Sequence, residues 1–298
     1  MPGLKLVLPT AFTDTSLPVL RDDPVLTAGS LLLIEPAHPA RPMAAGIPAH
    51  GSAVPNIAHA EAAALIGGSP ALGTLDNSLK YAAAWHNTSK GKLERSAKGG
   101  IHGIVSKAVS LAAGEGATIG MNSSLWTYLL TNKAHSIYVS FWDRLTRINT
   151  GSVTSNGAQE HGAIGANTST AAILSHRADA WQSSTGATIG STKLAPNTVG
   201  PRFGNANVTA NSGFTSATAG DGGPLWGALN GYNSAVIASR NGFWPSFVFY
   251  RFYIEDLTVS GRSYAQADAA DYAEYTKQVL TAGGRYYGDT FTDPATIP

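Results

Sequence analysis

The sequence predicts a mainly β fold, a sandwich or barrel of short strands, on three observations. From about residue 69 onward, short runs of β-favouring residues alternate with clusters of Gly, Ser and Asn, the pattern expected of all-β domains. Seven aromatics fall within residues 243–253 (Phe243, Trp244, Phe247, Phe249, Tyr250, Phe252 and Tyr253), at a spacing that suits a strand. Helical periodicity is confined to two short stretches, 58–66 and the residues after Ser263.

Residues 1–68 read as a segment of their own. Eight of the 16 prolines fall between residues 9 and 55, and proline lacks a backbone donor and fixes its own φ. The expectation is an extended N-terminal docking arm, with β-like runs at 4–8 and 31–34. One short helix is expected at 58–66, with Ala58, Ala62, Leu65 and Ile66 on a shared face and a stop at Gly67-Gly68. Within residues 69–286, the expected sandwich, the clearest strands are 101–106, 136–142 and 247–257. Alternation over 136–142 places Ile137, Val139 and Phe141 on one face and Tyr138, Ser140 and Trp142 on the other. Residues 149–170 carry no sustained apolar period and predict a long loop or a hairpin of weak strands.

In the strand 247–257, alternation sets Val248, Tyr250, Phe252 and Ile254 against Phe247, Phe249, Arg251, Tyr253 and Glu255. Aromatics on both faces predict a central strand, covered by a second sheet on one side and by chain or partner on the other. Ser263 and Gln266 then form a capping box that starts a helix. Its expected stripe is Ala265, Ala269, Tyr272, Thr276 and Val279, and Gly283-Gly284 ends it. Residues 287–298 are left as a short C-terminal tail.

Composition limits the function classes. The 298 residues are long enough to bury roughly 75% of the surface exposed when unfolded, so the chain needs no staples. Only 13% are charged, and 20 Lys and Arg against 19 Asp and Glu leave a net charge of +1. No overall field attracts nucleic acid or an anionic membrane. With no cysteine, disulfides, thiolate metal sites and Cys nucleophiles are excluded. The opening residues lack a basic leader followed by the roughly 7–15-residue apolar run of a secretory signal. The longest apolar stretch, 31–34, is far below the ~20 residues that span a bilayer, so a soluble chain is expected.

Chemistry-bearing motifs are sparse. No G-x-S-x-G elbow, H-E-x-x-H zinc motif or Walker loop occurs, and His50 and His59 have no carboxylate positioned to complete a metal helix. Carboxylates two apart on a strand would share a cleft for glycoside hydrolysis. The chain has instead the adjacent pair Glu255-Asp256, which points to opposite faces of a regular strand. Asp221, Asp289 and Asp293 lie in Asp- and Gly-rich loops that could offer oxygen ligands to calcium, but the same residues are ordinary turn formers, and no metal or cofactor is assigned. In the loop 221–233, Trp226, Asn230, Tyr232 and Asn233 are candidates for stacking on and bonding to a glycan, with Trp226 plugging the end of the sandwich as the structural alternative. Lys90, Lys92, Arg95 and Lys98 read either as a contact for acidic groups or as a solvated hairpin tip.

The stretch "YRFYIEDLTVSGRSYAQADAADYAEY" (250–275), a central aromatic strand, a Gly-Arg turn and a short helix, resembles the closing strand and helix of concanavalin A-like (laminin G-like) jelly rolls. "SIYVSFWDRLTR" (136–147) is similar to an inner strand of the same sandwich. More narrowly, "GLKLVLPTAFTDTSLPVLRDDPVLTAGSLLLIEP" (3–36), "GGIHGIVS" (99–106) and "RYYGDTFTDP" (285–294) resemble stretches of virion structural proteins of tailed bacteriophages. That resemblance implies a non-enzymatic component of the baseplate or tail tip, made in the bacterial cytoplasm. Its implied partners are other tail proteins and further copies of itself, a trimer being preferred. The alternatives are a host-recognition lectin that binds a surface glycan and a head decoration protein. Leu4, Leu6, Leu8 and Phe12 in the arm, and Tyr286, Tyr287 and Phe291 near the C-terminus, are the candidates for its interfaces.

Overall fold

A computed structural model describes residues 21–67, 71–148, 160–165, 172–177, 181–182, 187–190, 193, 198–209, 223–228 and 244–298. In chain order the strands are β1 (Ser30–Ile34), β2 (Ala53–Val54), β3 (Asn77–Tyr81), β4 (Gly91–Arg95), β5 (Ile101–Val105), β6 (Gly116–Gly120), β7 (Ile137–Arg147), β8 (Glu160–Gly165), β9 (Ala172–Arg177), β10 (Trp181–Gln182), β11 (Ala187–Gly190), β12 (Gly200–Thr209), β13 (Gly223–Gly227) and β14 (Ser246–Asp256). The helices are α1 (His59–Ile66), α2 (Ser123–Thr131), α3 (Leu257–Ser260) and α4 (Tyr264–Tyr275).

The strands form two antiparallel sheets. The first runs β11-β12-β7-β14-β5-β4, with β1 added on β14, and the second runs β10-β9-β8-β13-β6-β3-β2. This is the predicted class: mainly β, two sheets, few helices and a short C-terminal helix. Between the sheets lies the main core, where Val139, Phe141, Leu145, Phe247, Phe249 and Phe252 of the first meet Leu79, Ala117, Ile119 and Trp226 of the second. Trp226 stacks on Phe247 at 4.9 Å between centroids and 14° between planes. Its indole lies over Gly103, where an added Cβ would come within 2.1 Å of the ring, so only glycine fits.

The outer face of the first sheet is covered by the chain itself. Trp142, Phe203, Val248 and Tyr250 pack under Tyr275, Val279 and Tyr286, and Leu33, Tyr138 and Tyr253 pack with Val25, Leu257 and Ala267. The predicted faces of residues 137–142 are the observed ones. In β14 the phase shifts once, because Phe249 pairs with Asp143 and Arg251 with Trp142, leaving Tyr250 as the extra residue of a β-bulge. Phe247 and Phe249 face the main core, as do Phe252 and Ile254 beyond the bulge, while Tyr250 joins the outer cluster. Strict alternation does not anticipate this change of face.

The capping box forms as predicted: Gln266 N donates to Ser263 Oγ at 3.3 Å, and Ser263 N to Gln266 Oε1 at 2.8 Å. The buried stripe of α4 is a different one, carrying Ala267, Asp271 and Tyr275, while Ala265 and Ala269 are exposed. An acid in the middle of the buried face conceals it from a hydrophobic pattern. Helix α1 ends as expected at Gly67, whose φ of 84° is the left-handed conformation glycine allows. Helix α2 has no counterpart in the predicted elements, although Asn122 caps it by accepting from Ser124 N.

The arm expected over 1–68 needs correction for residues 21–67. β1 pairs with β14, and all five of its residues are buried. Asn56 stitches that strand to the following segment, accepting from Leu33 N at 3.0 Å and donating to Leu31 O at 3.0 Å. The described prolines, at 24, 36, 39, 42, 48 and 55, lie outside the strands and α1 and do not keep these pieces from the core. Residues 287–298 are likewise no free tail. Ala97 N donates to Thr290 O, Thr292 bonds Glu94, and Arg147 donates to Pro294 O and Ile297 O, so the tail is strapped across the first sheet.

Two outcomes follow from a core that includes β1. Deleting residues 1–36 should abolish cooperative unfolding, seen as loss of the near-ultraviolet circular dichroism of the buried tryptophans. Leu32→Ala, at a site with no solvent exposure, should lower stability by about 2–5 kcal/mol in urea denaturation.

Candidate functional site

The densest group of ionisable side chains lies on the outer face of the first sheet, beneath α4. The bulge in β14 aims Arg251 into this layer, where the residue is fully buried. Its guanidinium grips Asp23 with two bonds of 3.0 Å and donates to Glu35 Oε2 at 3.1 Å. The guanidinium also lies 4.5 Å from the Trp142 ring centroid. Arg285 reaches the other oxygen of Glu35. His38 Nε2 is 3.2 Å from Asp23 Oδ2, while His38 Nδ1 accepts from Ala40 N. On α4, Asp271 accepts from the Tyr138 hydroxyl at 3.2 Å and stands 3.8 Å from Arg251 Nε.

The electrostatics follow from this geometry. Burial works to raise the Asp23 carboxyl, but the Arg251 charge, with bonds from His38, Arg251 and Val25 N, outweighs it and holds the group far below the usual carboxylate range. Burial raises the pKa of Asp271, with Arg251 opposing it. Asp23, Glu35 and His38 place one ligand atom each within 4.8 Å of one another, a donor set a divalent metal could use. A metal does not fit here, because the guanidinium of Arg251 already holds both Asp23 oxygens and one of Glu35. The cation these acids enclose is the arginine.

The same self-sufficiency recurs across the molecule. Glu94 accepts from His102, Lys92 and both the backbone and hydroxyl of Thr292, and these partners overcome the burial that would raise it, leaving it well below its ordinary pKa. Asp143 sits 3.6 Å from Arg202 Nε and 3.5 Å from His176 Nε2 in the interior. Glu255 pairs with Arg262 and Tyr253, and Asp256 with Tyr128, His135 and the first amides of α3. These two neighbours point to opposite sides, as expected. Among the described residues, every buried Asp or Glu has a partner within the chain.

Clefts open on the surface among the described residues. One of about 570 Å³ lies between the strap and the sandwich, lined by Lys107, Thr146, Arg147 and Asp293 among others. The second, about 510 Å³, lies between α1 and α2, with Leu65, Ile66, Tyr128, Asn132 and Val259 on its walls. Neither lining brings two carboxylates together.

The sequence-predicted site residues fall as follows. Trp226 is a core residue, 1% exposed, and donates from Nε1 to Phe247 O at 3.3 Å. It cannot stack on a sugar from there; the expectation of an open ring is corrected, and the ring is buried between the two sheets against Phe247. Asn230, Tyr232, Asn233 and Asp221, like Leu4, Leu6, Leu8 and Phe12, lie outside the described residues. Asp289 is taken up by Tyr250 and Lys98 N, and Asp293 caps the turn at Pro294–Thr296. Tyr286 is buried against Tyr250 and offers no interface, Phe291 packs on His102, and Tyr287 is 46% exposed. Lys90 and Lys92 pair with Glu115 and Glu94, so the run lies along the edge strand with its charges partly answered, while Lys98 is exposed in the turn of the β4–β5 hairpin, as the solvated-tip alternative expects. The buried network itself was missed, its one signal being charged residues set among apolar neighbours on strands.

Fold and site together define a two-sheet β protein whose described buried acids are paired within the chain. No protein-family model and no curated protein matches the chain. Three solved structures of Trypanosoma rangeli sialidase show similarity. They are complexes with 2,3-difluorosialic acid as a covalent intermediate (10% identity, TM-score 0.35), with 2,3-difluoro-KDN (9%, 0.32) and with sialic acid (8%, 0.30). Each alignment covers 78% of this chain and 31% of the sialidase, so the chain spans less than a third of their length. No helix among the described residues is long and apolar enough to cross a membrane.

The network makes two measurable demands. Arg251→Met should destabilise the protein by about 3–5 kcal/mol in chemical denaturation, since it leaves buried acids without their cation. Asp23 and Glu94, depressed from ordinary values of 3.8 and 4.5, contribute stability that is complete above those values and lost as pH falls through them. The urea midpoint should therefore drop on acidification below about pH 5, and less steeply in Asp23→Asn, which starts lower at neutral pH.

Proposed function

We propose that this chain is a structural protein of a tailed-bacteriophage particle, seated in the baseplate or tail tip as a symmetric oligomer and performing no reaction of its own. The observation that carries the non-catalytic reading is the pairing of every described buried carboxylate within the chain, together with clefts in which no two acidic side chains meet: Asp293 is the acidic side chain lining the first, and it caps the turn at Pro294–Thr296. The resemblance of residues 3–36, 99–106 and 285–294 to virion proteins supports the location. A surface poor in charge and a chain free of cysteine accord with a protein held by its neighbours. Among the described interface candidates, Tyr287 is the exposed aromatic, close in sequence to the exposed Leu280, and a trimer is the preferred assembly.

Gold-labelled antibody on intact particles, viewed by electron microscopy, tests the location. Label at the tail tip supports the reading; label on the head makes the chain a decoration protein; absence from every particle overturns the virion role and leaves a free lectin, to be pursued by glycan binding. Tyr287→Ser should reduce incorporation into particles while shifting stability by no more than about 0.5 kcal/mol, as expected of an exposed site.

A further inference from the structure

The charges gathered around Arg251 do not balance if every acid is ionised; Asp143, Arg144 and Arg202 form a further group beneath α4, beside Tyr275. Asp23, Glu35 and Asp271 face the two guanidinium groups of Arg251 and Arg285. His38 does not supply the missing positive charge. Its Nδ1 accepts the Ala40 N–H, which leaves the ring a single proton, on the Nε2 that faces Asp23. One excess negative charge would then lie among buried acids, with Arg285 alone of this group partly exposed, a costly state that proteins relieve by binding a proton.

The geometry indicates where that proton sits. Asp23 receives two guanidinium bonds, and Glu35 receives one from each arginine. Asp271 receives none: its Oδ1 and Arg251 Nε, 3.8 Å apart, are both buried without a hydrogen-bond partner. The other groups that bear on Asp271 are the Tyr138 hydroxyl and Ser140 on β7, which would ease its ionisation, and the Asp23 charge, which opposes it. Asp268, one turn earlier on α4, is drawn towards Lys193 and Asn205.

We propose that Asp271 keeps its proton in the folded protein at neutral pH, and that this neutral acid seals α4 onto the first sheet as a pH-sensitive lock. The elevated pKa that burial confers on Asp271 points the same way. The sign is opposite to that of Asp23. A raised carboxyl is neutral in both states at low pH. As pH climbs above its ordinary value of 3.8, the unfolded chain releases the proton and the folded chain does not, so stability falls steadily until the folded group ionises too. Alkali that strips the proton leaves an unpaired charge under the helix and loosens it.

Asp271→Asn preserves the shape and the acceptor for Tyr138 while removing the titration. Melting wild type and variant side by side from about pH 5 to about pH 9 should show the variant more stable at neutral pH, with the gap widening by several degrees as pH rises. A variant that melts lower at neutral pH, with a gap that closes in acid, would mean an ionised, ion-paired Asp271 and overturn the proposal. An independent arm uses the wild-type fold. Its infrared spectrum at neutral pH should contain the stretch of a protonated carboxyl, lost in Asp271→Asn. The same band should vanish in Glu35→Gln, which removes the excess charge that retains the proton. No such band in the wild type, or a band untouched by either substitution, sinks the idea even if one variant fails to fold.

Discussion

The guanidinium of Arg251 is the constraint around which the outer layer is arranged. A fully buried cation must be answered at hydrogen-bond distance, and its answers, Asp23 and Glu35, come from the N-terminal segment more than two hundred residues away, while Asp271 of α4 stands beyond bonding distance at 3.8 Å. Replacing such a cluster with apolar side chains need not destabilise a protein, whereas removing one member usually does. Its effect here is on specificity. The bonds to Asp23 and Glu35 tie both ends of residues 23–35 to β14, so a segment with weak local preferences is held against the sheet.

This layer depends in turn on the bulge in β14. A regular strand would carry Tyr250 to the face opposite Phe249 and Arg251. The extra residue lets Phe247 and Phe249 enter the main core ahead of the bulge and Phe252 and Ile254 after it, while Tyr250 and Arg251 both serve the outer layer. One strand thus supplies aromatic packing to the sheet interface and polar anchors to the helix, and the sandwich becomes three layers.

The sequence made some of this legible. Aromatic alternation over residues 137–142 and 247–257 placed the two central strands, because burial on both faces leaves a local mark. The Ser263–Gln266 capping box marked the start of α4, a short-range hydrogen-bond signature. What stayed hidden depends on distance along the chain. Nothing near Asp23 discloses a partner 228 residues away, and the described prolines that suggested an arm lie outside the strands and α1. Asp271 masked the true face of α4 because an acid reads as exposed until its proton and its neighbours are known. Trp226 was misjudged for a related reason: a glycine-rich loop suggests openness, whereas here Gly103 on the facing sheet makes room for the ring.

The pairing of β1 with β14 joins Ser30 to Glu255 and Ile34 to Phe252. During synthesis, β5 and β7 leave the ribosome long before the strand that must lie between them, and β1 waits longer still. Until residue 256 has emerged, the centre of the first sheet is absent and the edges of its neighbours stand open to other chains. Such non-local closure makes folding slow, and it leaves the nascent strands open to aggregation until β14 has been made.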